Sequence, residues 1–164
     1  MADPPDGDQV LASFVVANSC LMSTVLPPGY RSYNYTDPFE DRVGPLGYKV
    51  DAQRVSFVFD AQPHHRNSSD SLHGGMLMTF ADYAVCLTAV WDQPREKCVT
   101  VSFSCEFVAA GRVGDRVESV CEVVRRTESL TFVRGQVFVG DRVLLNCSAI
   151  VKRFPGARLT KKQP

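Results

Sequence analysis

Asn67, the tripeptide His73-Gly74-Gly75 and Asp82 are the residues of this 164-residue chain whose types and spacing could act together on a carbonyl. Gly74 and Gly75 open a run, Gly74 to Trp91, that is apolar on nearly every face and therefore reads as a buried helix. At its start they offer backbone N–H groups on the positive end of the helix dipole, with no side chain to bar a substrate. Such donors suit a carbonyl oxygen that becomes an oxyanion. Asp82 is the one carboxylate in that run. Burying it without purpose would cost roughly several kcal/mol, so it is the candidate to activate water or to attack directly.

The elements that must position these residues follow from periodicity. Residues 1–9 read as a disordered N-terminus, and 10–47 as an N-terminal helix (Val10 to Leu26) followed by an extended, turn-rich segment or lid. Tyr48 to Asp60 reads as one strand, with Val55, Phe57 and Phe59 alternating with Ser56 and Val58. After the buried helix the period changes to two: Val99, Val101, Phe103, Cys105 and Phe107 alternate with Thr100, Ser102, Ser104 and Glu106. On this alternation the Thr100 hydroxyl falls on the polar face. Three more strands are expected over Arg116 to Arg125, Leu130 to Val139 and Arg142 to Arg153, with Gly140-Asp141 as a tight hairpin turn. One strand, a buried helix and four antiparallel strands make an α+β order in which a curled sheet wraps a single helix, the hotdog arrangement. Residues 48–154 form that domain, and 155–164 read as a flexible tail.

Composition narrows the classes. The formal charge is zero and the hydrophobic content 45%, so one domain with a sizeable core is expected and no basic stripe for nucleic acid is present. The start is acidic and turn-rich, without a basic region followed by an apolar run, so a cytoplasmic location is expected. Six cysteines, at 20, 86, 98, 105, 121 and 147, lie mostly inside apolar patterns with no Cys-x-x-Cys pair, which suits inert, reduced core thiols. An Asp in the middle of the apolar run would cost about 2.5 to 3.5 kcal/mol in a bilayer, which argues against a membrane span.

Asn67 stands six residues before His73, and Asp82 nine after it. This pattern resembles the PaaI-type acyl-CoA thioesterases of the hotdog superfamily, a resemblance extending through the strands to about Phe154. It implies hydrolysis of an acyl-CoA thioester to a free acid and CoA, without a cofactor. It further implies that Asn67 orients the nucleophilic water or the carboxylate. His73 then supports the corner, and Thr100 is the hydroxyl residue beside the acid. The position three before His73 is commonly Gly in that family and is Asp70 here, a second carboxylate able to alter loop shape or pH response. Gly75, Asp70 and Met78 are the candidate substrate contacts, the last because part of the Met76, Met78 and Phe80 cluster could line an acyl tunnel.

Eight residues separate Gly74 from Asp82, about 12 Å at the helical rise, too far for both to touch one thioester carbon. Two antiparallel copies would bring Asp82 of one beside Gly74 of the other, as in the dimers the chain resembles. A homodimer, possible as a dimer of dimers, is therefore expected. Arg112, Arg116, Arg125, Arg126, Lys152 and Arg153 form the pool from which CoA phosphates could be bound.

Plainer readings stand beside these. His73 could simply cap the helix, and Asp82 could be a satisfied structural carboxylate. His64-His65 fit a solvated turn better than a metal site, since no third ligand has suitable spacing. A Cys–His nucleophile pair has nothing to orient it. Two rival functions remain: a non-catalytic acyl-CoA-binding or regulatory hotdog protein in which Asp70 has spoiled the site, and a hotdog hydratase or dehydratase.

Overall fold

A computed structural model describes residues 25–156 apart from 34, 35, 53 and 94. The helix expected from residue 10 and the tail expected to residue 164 fall almost wholly outside the described residues.

The elements are β1 (Arg31–Ser32), α1 (Glu40–Val43), β2 (Gly47–Asp51), β3 (Arg54–Asp60), a 3₁₀ turn (Pro63–His65), α2 (Gly74–Val90), β4 (Glu96–Phe107), β5 (Arg116–Arg126), β6 (Leu130–Val139) and β7 (Arg142–Pro155). All seven strands form one antiparallel sheet in the order β1-β2-β3-β5-β6-β7-β4. This is the α+β hotdog architecture. The chain leaves β3, runs through α2 and re-enters the sheet at its far edge as β4, so the helix is laid across the strands it must be wrapped by.

The core lies between α2 and the sheet. Phe57 and Phe59 of β3, Val117 of β5, Val133 and Val137 of β6, and Val151 of β7 meet Phe80, Ala84 and Val85 of α2, all essentially without solvent exposure. Burying each of the larger side chains contributes about 1.5–3 kcal/mol. The rings of Phe59 and Phe80 meet edge to face at 4.7 Å between centroids, and those of Phe57 and Tyr83 at 5.7 Å. Such contacts fix the rotation of α2 about its axis as well as its depth.

Two expectations are corrected. The single strand read over Tyr48 to Asp60 is a hairpin, β2 and β3, reversing at Ala52 with φ +53° between the paired residues Asp51 and Arg54. A two-residue reversal of this kind needs positive φ, and the alternation of hydrophobic residues in β3 does not extend back through it. The regular alternation in β4 is also broken. Thr100 pairs with Val151 and Ser102 with Ile150, leaving Val101 as an extra residue. This bulge swaps the parity of the strand. Thr100 therefore faces α2, on the same side as Phe103 and Cys105, instead of the polar side. The Gly140-Asp141 turn is as expected, with Gly140 at φ +56° between the paired Val139 and Arg142.

Candidate active site

α2 is buried along most of its surface, but Gly75, Met78, Thr79, Asp82 and Cys86 are not. Their spacing of three and four residues makes one stripe. Asp82 thus sits on the one face of the helix that the sheet leaves uncovered. Its Oδ1 accepts a hydrogen bond from Thr100 Oγ1 at 2.6 Å. Thr100 Oγ1 also lies 3.1 Å from Cys86 Sγ, one turn further along the helix. Cys98, two residues before Thr100 on β4, donates through Sγ to the Cys86 carbonyl at 3.6 Å. Neither thiol was singled out by the sequence, which placed both in an inert core. The interaction with the Cys98 thiol, followed by burial, pushes the Cys86 thiol well up, while the same thiol–thiol interaction holds Cys98 below the ordinary thiol range.

Beside Asp82 a cavity of about 530 Å³ opens between α2, the start of β4 and the segment carrying Tyr33 and α1. Asp82, Tyr83, Cys86, Cys98 and Thr100 all line it. The Tyr83 hydroxyl is buried without a hydrogen-bond partner among the described residues, and burial, followed by the nearby Glu40 charge, pushes its ionisation far up. A larger cavity, about 970 Å³, is lined by Ser56, Glu122, Arg134 and Gln136 among others and by none of the motif residues.

At the N-terminal end of α2 the His73 imidazole caps the helix, Nδ1 accepting from the Gly75 N–H at 2.9 Å. The plain reading of His73 as a cap therefore holds. The Gly75 amide is thereby occupied, and the Gly74 N–H is the one without a partner among the described residues. The Phe107 ring lies over Gly74, so near that a Cβ there would come within 3.2 Å of it.

Asn67 does not reach Asp82 within the chain. Its Nδ2 donates to Ser71 Oγ at 2.9 Å, and its Oδ1 accepts from the Ser69 and Ser71 amides. It folds the loop that delivers His73. Asp70 takes φ +58° in that loop, which is the physical reason a glycine suits this position, and its side chain, 81% exposed, pairs with Arg66 at 2.7 Å. Met78 is exposed on the open stripe.

The solvated turn expected for His64-His65 is corrected in one residue. His65 is only 3% exposed: its Nδ1 accepts from the Gln62 N–H, and Nε2 donates to the Val43 carbonyl at 2.9 Å. The His73 N–H in turn donates to the His65 carbonyl, so this ring ties α1 to the start of α2. The basic pool also narrows. Arg153 is buried and bonded to Glu96, Thr131 and the Thr127 carbonyl. Arg116 pairs with Asp60 and Arg126 with Asp92, leaving Arg112, Arg125 and Lys152 exposed.

Residues 70–146 match the family model described as Thioesterase superfamily, in line with the resemblance read from the motif. A Pseudomonas aeruginosa protein carrying the name "Putative esterase" is 28% identical over 127 residues, 76% of this chain and 95% of that protein. The Escherichia coli PaaI protein from the phenylacetic acid degradation operon superposes with a TM-score of 0.67 at 16% identity, covering 74% of this chain and 88% of that one. A Streptococcus mutans protein solved bound to acetyl-CoA superposes with a TM-score of 0.63 at 14% identity, covering 70% and 93%. At these identities the two structural likenesses carry the fold alone. No helix among the described residues is long and apolar enough to cross a membrane.

Proposed function

We propose that the protein is an acyl-CoA thioesterase that works as a homodimer, with no cofactor beyond the CoA of its own substrate. The observation that carries this reading is the placement of Asp82 on the open stripe of α2, hydrogen-bonded to Thr100 and beside a cavity, while the unpaired Gly74 amide lies about 12 Å away at the end of the same helix. A carboxylate and an oxyanion donor so separated complete one site when a second copy is laid antiparallel across the stripe. Asp82 of one copy then activates water, or attacks, at a thioester carbonyl whose oxygen is held by the Gly74 amide of the other. The cavity beside Asp82 receives the acyl group.

Support for the dimer comes from β4. It is the last strand of the sheet, its outer edge is unpaired among the described residues, and Val99 and Val101 are exposed along it. An exposed edge of this kind is a template for pairing with another strand. The acetyl-CoA bound by the Streptococcus mutans neighbour supports CoA as the thiol. Free thiols on five described cysteines accord with a cytoplasmic location. Asp70 was the reason to consider a non-catalytic binder, and its exposed pairing with Arg66 supports the enzyme reading over that one.

A panel of acyl-CoA thioesters read by thiol release, with the mass of the assembly in solution, tests the reading. Asp82→Asn and Asp82→Ala should lose at least about a hundredfold in kcat, about 2.7 kcal/mol of barrier, while the dimer persists. Hydrolysis at the unmutated rate in either variant, or a fully active monomer, overturns it.

A further inference from the structure

Cys86 and Cys98 meet on the wall of the cavity that holds Asp82. Cys86 lies one turn beyond Asp82 on the open stripe of α2, and Cys98 comes from the adjacent strand on the same helix-facing side as Thr100. The Cys98 thiol donates to the Cys86 carbonyl at 3.6 Å, which sets the two side chains against each other, and both residues are only half-buried. By contrast, Cys121 and Cys147 flank Gly135 inside the sheet. Cys86 Sγ also contacts the Thr100 hydroxyl at 3.1 Å. That hydroxyl has a single proton, which it gives to Asp82, so toward Cys86 it can only accept. The contact therefore depends on Cys86 being a thiol.

We propose that Cys86 and Cys98 are a modification site that a peroxide converts to a disulfide, and that the bond switches the Asp82 site off through Thr100. The existence of the bond stands on the thiol geometry, and only its effect on activity rests on the function proposed above. Cys98 is the attacking sulfur, since its thiol is held below the ordinary range while that of Cys86 is pushed well up. Its sulfur takes one oxygen of hydrogen peroxide as the O–O bond breaks, and the hydroxide that leaves combines with the Cys98 proton as water. The Cys98 sulfenic acid is then attacked by the Cys86 sulfur; the S–O bond breaks, and the hydroxyl departs with the Cys86 proton as a second water. Two thiols and one peroxide thus give one disulfide and two waters, and a dithiol reverses the bond by exchange. Joined to Cys98, the Cys86 sulfur has no proton for Thr100. The hydroxyl loses a partner that fixes its rotation, and its bond to Asp82 is held less firmly in place.

The test oxidises the full-length protein with hydrogen peroxide and reads three quantities. Intact mass should fall by the two hydrogens of one disulfide. A non-reducing tryptic map should join the peptides 67–95 and 98–112, with Cys98 rather than Cys105 located by fragmentation. Acyl-CoA hydrolysis should drop at least about tenfold in kcat and return with dithiothreitol. In Cys98→Ser the ratio of oxidised to reduced activity should stay near one. A map in which peroxide leaves Cys86 and Cys98 unjoined overturns the site. A quantitative Cys86–Cys98 bond with unchanged kcat overturns the switch. Reduced protein that hydrolyses no thioester refutes the proposed activity instead, and the peptide map still decides the thiol pair.

Discussion

The Thr100 hydroxyl donates to Asp82 Oδ1 at 2.6 Å, a bond that crosses from the edge strand of the sheet to its central helix. It exists because the extra residue Val101 turns Thr100 inward. Without that donor the half-buried carboxylate has one hydrogen bond fewer to fix its orientation, and a bond to a charged group contributes roughly 1.5–3 kcal/mol. Thr100→Val, which keeps the shape, should lower kcat about tenfold or more with little change in KM, and Thr100→Ser should restore most of it. Steady-state kinetics of the two variants check this, and an unimpaired Thr100→Val would remove Thr100 from the site.

His65 makes stability fall with acid. Burial first, and the neighbouring His64 second, lower its pKa to about 4, against the pull of the Val43 carbonyl it donates to. The unfolded chain takes up this proton near pH 6.5, the folded chain only near 4, so the unfolded state gains as pH drops. The stabilisation is complete above pH 6.5, erodes between 6.5 and 4, and amounts to about 3 kcal/mol once lost. Urea unfolding at pH 7, 5.5 and 4 should show this slope. His65→Leu should be less stable at pH 7, where Val43 is left unpaired, but flatter across the same window; an equal slope in both proteins would assign the acid sensitivity elsewhere.

Much of this was legible in the sequence, and the rest was not for identifiable reasons. The apolar run from Gly74, with its all-round hydrophobicity, and the two-residue alternation of β4 report burial directly, so the helix, the strands and the Gly140-Asp141 turn can be read from the sequence. The β2–β3 reversal was hidden because its turn contains Ala52 and no Gly, Asn or Pro to announce positive φ. The Val101 bulge was hidden because Val, Thr and Ser continue the alternation straight through it, which put Thr100 on the wrong face. Within the site, the offsets of His73 and Asp82 were readable, but the hydrogen bonds that engage Asn67 with Ser71 and Gly75 with His73 depend on loop geometry. Cys86 could have been found, four residues after Asp82 and so on its face of the helix. Cys98 could not, since its side of the strand depends on the bulge.

Asp70 bears a conformational cost that a glycine would not. At φ +58° a side chain is disfavoured, although Asp tolerates the region better than most residues. Its ion pair with Arg66 is exposed at both ends and contributes at most about 1 kcal/mol. Asp70→Gly should therefore leave stability unchanged or raise it by up to about 1 kcal/mol, whereas Asp70→Val should lower it by about 1–2 kcal/mol. Thermal unfolding of both variants decides the matter, and equal losses in the two would show that the side chain of Asp70, rather than its backbone angle, holds the loop.

Gly74 is where the helix start, the proposed oxyanion donor and the Phe107 ring converge. A methyl group added there would lie 3.2 Å from the ring, closer than ordinary contact, so the ring must give by a few tenths of an ångström. Phe107 is 54% exposed and has room to swing, so the fold should survive Gly74→Ala with a change in stability under about 1 kcal/mol, helped by the better helix propensity of alanine. The approach to the amide does not survive so well, because both the methyl and the displaced ring now stand beside it. The variant should lose about tenfold or more in kcat/KM, and Gly74→Ala combined with Phe107→Ala should recover the part due to the ring. Full activity in Gly74→Ala would mean that the carbonyl is held by some other donor than this amide.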